Sequence, residues 1–178
     1  MTPRSRDEAA ELANLRMARS GADATVASPA KPSTGHPGHG TSMARADYHQ
    51  FTLTCDSMPL EWDGRSENGL AVVGEHGGVA IQTSVASGLV RYAWATHSSR
   101  PAVEEPWDDV VEVTIATETG EIHVEGWAGA THDETNLATE GPGTYRLRVS
   151  ARDRGSEWDQ NVEVAKEQFR FDIWPTSI

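Results

Sequence analysis

Cysteine is almost missing. The 178 residues hold one, Cys55, so neither an intramolecular disulfide nor a cysteine-based zinc cluster can brace the fold. A lone thiol fits a reducing compartment, and the cytoplasm is the expected location. Long apolar runs are missing too. No stretch reaches the roughly 18 apolar residues of a helical membrane span, and the N-terminus lacks the apolar centre of a secretory signal. Positive charge is scarce: 15 Lys+Arg against 27 Asp+Glu leave a net charge of -12. The chain contains no G-x-S-x-G, no phosphate loop and no dinucleotide fingerprint. Neither enzyme, cofactor nor metal chemistry is therefore expected.

The charge is unevenly placed. Residues 1–46 carry Arg4, Arg6, Arg16, Arg19, Lys31 and Arg45 against Asp7, Glu8, Glu11 and Asp23, a net of +2, so residues 47–178 carry -14. A body this acidic repels phosphate backbones, which disfavours direct nucleic-acid binding, and attracts a basic protein partner. Residues 7–19 are rich in helix formers, but so short a helix is marginal alone. Residues 20–42 are dominated by Gly, Pro, Ser, Ala and Thr and cannot offset the entropy of ordering. Residues 1–46 thus read as a flexible, partly helical extension and 47–178 as the folded domain. Met43 stands at the boundary as an alternative start.

From Asp47 the pattern has period two. His49, Phe51, Leu53 and Cys55 alternate with polar residues, as in a half-buried strand. Short strands are expected at 69–73, 78–82 and 89–95. Residues 109–117 and 121–125 flank Thr119-Gly120 and predict a hairpin, with Ile115 opposite Val124 and Thr117 opposite Ile122. Tyr145, Leu147, Val149 and Ala151 share one strand face, and Phe169, Phe171 and Ile173 another. Residues 152–166 read as a polar loop with a short helix at 161–166. Seven to eight short antiparallel strands without a body helix predict an all-β sandwich.

Asp47-Tyr48-His49-Gln50-Phe51-Thr52-Leu53 resembles the opening strand of the competence protein J family, which includes a bacterial inhibitor of a DNA-entry nuclease. The similarity continues through Trp62, Gly69-Leu70-Ala71, Gly78-Val79-Ala80-Ile81, residues 89–95, 143–147 and 169–173. The resemblance implies a small β-sandwich that blocks a nuclease by direct binding. It carries no inhibitory residues to particular positions, and residues 1–46 and 152–166 depart from it.

The candidate partner-binding residues are Glu104, Glu105, Trp107, Asp108 and Asp109. Carboxylates flanking an aromatic can steer and anchor a basic groove; the plain alternative is a solvated turn with Trp107 folded inward. Asp133, Glu134 and Glu140 form a second acidic stretch. Acidic residues are too numerous for one pair to mark a glycosidase. His36 and His39 have metal-like spacing without supporting neighbours. Cys55 reads as a core residue. Arg146, Arg148, Arg152 and Arg154 form a stripe suited to cross-strand ion pairs, for example with Asp172. Trp62, Trp107 and Trp158 each adjoin an acidic residue, which suits a protein interface. It equally suits sugar stacking, so the alternative is a carbohydrate- or small-ligand-binding β-sandwich. High salt separates the two, weakening only the charged contact.

Overall fold

The computed structural model describes residues 38–56, 69–74 and 77–176. The expected helix at 7–19, most of the linker, and His36, Trp62 and His76 lie outside these residues. The described chain is all-β: β1 (His39–Asp47), β2 (Gln50–Cys55), β3 (Ala71–Val73), β4 (Val79–Gln82), β5 (Ser87–Thr96), β6 (Asp109–Thr117), β7 (Ile122–Glu125), β8 (Gly143–Arg152) and β9 (Asn161–Pro175), with one 3-10 turn at Trp127–Gly129.

The expected sandwich is replaced by one nine-stranded sheet, in the order β3-β4-β2-β1-β5-β9-β8-β6, with β7 on β2. Two pairings join what would otherwise be two layers. β1 lies antiparallel to β5 along its whole length, from His39 against Ala95 to Asp47 against Ser87. β5 then runs parallel to β9, with register shifts around Leu89 that raise local twist. The sheet curls until β3 contacts β6, giving a nearly closed barrel. Closure removes most of the exposed edge that a flat sheet would leave.

β1 begins at His39, within the stretch expected as extension, and Met43 sits mid-strand opposite Arg91. The strand is hard to read because its inward side chains are small: Ala44 and Ala46 are buried. The space allows nothing larger at Gly40, where an added Cβ would lie 2.8 Å from the Trp94 ring.

The predicted hairpin does not form. β6 pairs with β8, Ile115 opposite Tyr145, while β7 pairs with β2, Val124 opposite Leu53 and Ile122 opposite Cys55. The turn between them is held open by Asp56. Its carboxylate accepts from the Thr117 and Thr119 hydroxyls and from the backbone N–H of Glu118 at 2.7 Å and of Thr119 at 3.0 Å. Burial pushes the Asp56 carboxyl up, but these hydrogen bonds prevail and hold it below its ordinary value. The expected helix at 161–166 is the start of β9, which Ser87 and Leu89 recruit as a parallel partner at Asn161 and Val164.

The core follows the alternation. Phe51, Leu53 and Cys55 are buried as expected, as are Tyr145, Leu147, Val149 and Ala151 on β8 and Phe169, Phe171 and Ile173 on β9. The Phe51 ring meets Phe169 edge-on at 5.3 Å and Phe171 at 6.1 Å. Burial, with Asp56 adding to it, pushes the Cys55 thiol up to about 12. It is an inert core thiol that donates to the Gly77 carbonyl.

Candidate functional site

Residues 97–108 connect β5 to β6 and bring backbone over the outer face of β8. Beneath them Arg148 is 2% exposed. It donates to Glu112 at 2.9 Å and to the carbonyls of Pro101 at 3.0 Å and Ala102 at 3.4 Å, and lies over the Trp174 ring. Burial raises the Glu112 carboxyl, but Arg148 and Arg100 outweigh this and hold it low. Beside it, Asp172 takes His97 at 2.8 Å and Arg170 at 3.1 Å. The arginine stripe does form cross-strand ion pairs, chiefly through Glu112 rather than directly with Asp172.

The predicted partner-binding residues occupy the end of this connection, and two of their four carboxylates, Glu105 and Asp109, are paired with arginines. Glu105 is 3.5 Å from Arg152, whose guanidinium covers the Trp107 ring at 4.9 Å. Trp107 is half-buried. Asp108 accepts from the Asp153 N–H at 2.8 Å, and Asp109 pairs with Arg154 at 2.8 Å. Glu104 is exposed on the lip of a small cleft beside Arg170. The second acidic stretch is tied inward: Asp133 accepts from the Tyr92 hydroxyl at 2.6 Å. Burial raises the Asp133 carboxyl, and bonds from Tyr92 and Thr135 prevail to hold it low.

The barrel also forms features that the sequence conceals. A groove of about 600 Å³ lies on the outer wall, lined by Met43, Arg91, Trp107, Arg152, Gln168 and Arg170 among others. Its residues come from β1, β5, β8, β9 and the preceding connection. Only their strand order brings them together, so no local motif marks them.

At one end of the barrel, β1 turns into β2 through Tyr48-His49. Both residues have positive φ, 49° and 63°, as a two-residue type I′ turn requires. Gly adopts this conformation freely, and Asn, Asp and His more readily than other residues; Tyr adopts it at a cost. The 83–86 loop enforces it. The His49 N–H donates to Ala86 O and the Thr83 N–H to His49 O. The loop is itself held by Glu167, 1% exposed, which accepts from the Ser84 N–H and hydroxyl, both at 2.9 Å, and from the Val85 N–H at 3.2 Å. The same loop accepts from the Asp159 N–H, so Trp158-Asp159 and Tyr48-His49 are mounted on one support. Tyr48 lies 5.4 Å from Trp127, and His49 lies 5.6 Å from Trp158.

Among the described residues, no group of three or more His, Cys, Asp or Glu is placed to hold a metal ion, and no helix is long and apolar enough to cross a membrane. His39 lies on β1, while the His123 and His132 rings meet at a tilt, 5.5 Å apart.

The architecture defines a class: a curled, nearly closed all-β sheet with a long parallel β5–β9 pair. No family model and no curated protein matches the chain. Among solved structures, the chain is similar to ComJ from Bacillus subtilis, inhibitor of the DNA degrading activity of NucA. The identity is 16%, coverage is 80% of this chain and 96% of that one, and the TM-score is 0.51. It is also similar to the crocagin biosynthetic gene J product, at 14% identity, 80% and 100% coverage and a TM-score of 0.52. The resemblance seen in the sequence therefore holds at the level of the fold.

Proposed function

We propose that the protein binds a basic partner protein, a nuclease, and blocks it by occupancy, without chemistry of its own. The observation that carries this reading is the fold shared with ComJ, an inhibitor of a nuclease. The acidity of residues 47–178 supports it, because a nuclease groove that receives phosphates is positive and attracts a negative rim. Glu104, Glu105, Trp107, Asp108 and Asp109 contribute to that rim. Asp108 and Asp109 are anchored to the neighbouring 153–154 turn, so they meet a partner with little ordering cost.

The test is inhibition of a panel of basic nucleases, titrated at low and high salt. E105K with D109K is expected to slow association and weaken inhibition most at low salt. W107A is expected to cost about 2 kcal/mol, mainly through faster dissociation, as at an interface hot spot. Unchanged potency in both variants would remove residues 104–109 from the interface. No inhibition by the wild-type protein would remove the function.

A further inference from the structure

The Tyr48-His49 turn is an expensive way to reverse a chain. Tyr48 is 73% exposed and Trp158 66%, so neither ring is placed there by core packing. Their neighbours Ala128 and Asp159 also have positive φ, 50° and 57°. Positive-φ backbone thus recurs beside each of these rings and is unfavourable at Tyr48 and Ala128, while Tyr48 and Trp158 face water and Trp127 is half-buried. Such strain persists only where surrounding structure enforces it, and here the 83–86 loop and buried Glu167 do so. An Asn-Gly turn would reverse the chain without this cost, so the side chains themselves account for the residues chosen.

The chemistry of the rings and their neighbours selects an occupant. Asp159, 69% exposed, stands 3.1 Å from His49 Nε2; exposed Asp153 begins the same loop, and Asp47 precedes the turn. Of the nearby cations, Lys166 is matched to Glu157 and Arg45, on the strand entering the turn, donates to the Ser87 hydroxyl. Aromatic faces beside carboxylates attract a cation that is both stacked and neutralised, as guanidinium and ammonium groups are. At its other end the 153–160 loop is tied to the 104–109 rim, where the Asp153 N–H donates to Asp108.

We propose that this turn is the anchor of the interface: it seats an arginine or lysine side chain of a basic protein surface against Tyr48, His49 and Trp158, with Asp159 as counter-charge. The proposal rests on the inhibitor reading for the identity of the partner, but not for the existence of the site.

A tetra-arginine peptide is the probe, followed by amide and indole NMR shifts on the full chain, with tetra-glutamate and a neutral oligosaccharide in parallel. Tetra-arginine is expected to shift the Tyr48 and His49 amides and the Trp127 and Trp158 indoles, and the other two to leave them unmoved. Y48N/H49G removes no carboxylate, so attraction by charge alone would persist in it; affinity is expected to fall about two- to fivefold. W158A, which leaves the turn sequence intact, is expected to weaken binding similarly and decides the matter if the double variant does not fold. Equal affinity in the variants, shifts confined to other surfaces, or equal binding of the glutamate peptide or the sugar at the turn would overturn the proposal. Full nuclease inhibition by well-folded Y48N/H49G would also overturn it while leaving the inhibitor reading intact. Docking at the turn without inhibition of any nuclease by the wild type would do the reverse.

Discussion

Two regions of the barrel combine charge with aromatic rings and use them oppositely. On the outer face of β8 and β9, Arg148 is covered by chain, paired with Glu112 and laid over Trp174. At the Tyr48-His49 turn, the rings face water and the backbone is strained. Buried charge of the first kind is tolerated only when its partners are complete. Exposed aromatics of the second kind add little to folding and much to contact with another molecule. The same residue types are structural in one place and fit an interface in the other; what separates them is cover and backbone strain.

The largest effects should come from breaking the covered region and the core beneath it. Phe51→Ala should cost about 3–5 kcal/mol in urea unfolding, because a buried ring in contact with Tyr92, Phe169 and Phe171 is lost. Arg148→Ala should cost about 3 kcal/mol, since Glu112 would keep only its peripheral arginines. A loss below about 1 kcal/mol in either would show that the strand register is wrong at that position. Next in size, Glu167→Ala leaves the donors of Ser84 and Val85 without an acceptor. It should cost about 2–3 kcal/mol and broaden the NMR signals of both Tyr48-His49 and Trp158, which share that support.

Smaller still is a pH effect that separates the regions. Asp56, Glu112 and Asp133 are all held below their ordinary values of 3.8, 4.5 and 3.8. A lowered folded-state value means the stabilisation is complete above the ordinary value and is lost as pH falls through the lowered one. Thermal unfolding should therefore be level with respect to these groups above about pH 5 and decline below about pH 4. Asp56→Asn should make that decline shallower.

The sequence reveals alternation more readily than topology. Phe51, Leu53, Tyr145, Leu147 and Phe169 can be assigned inward because period two is local. β1 is hidden because Ala44 and Ala46 fill a narrow space with small side chains. The β6–β7 hairpin is a false expectation because Gly120 marks a turn but not the partner on either side; Asp56, distant in sequence, redirects it. The residues at 104–109 are identifiable as acidic and aromatic, but their pairing with Arg152 and Arg154 is set by strand order. Tyr48-His49 lies within the Asp47–Leu53 stretch that opens the family resemblance. That it forms a strained turn cannot be read, since neither residue is a turn former.

The central claim is that this turn gives up stability in order to present its side chains, and the melting temperature of Y48N/H49G tests it most directly. The variant loses the exposed His49–Asp159 pair and the surface ring contacts Tyr48–Trp127 and His49–Trp158, and gains residues suited to positive φ. It should be about 1 kcal/mol more stable, a rise of roughly 2–4 °C for a chain of this size. A melting temperature equal to or below that of the wild type would contradict the account, because the turn would then owe its sequence to the fold and not to a partner.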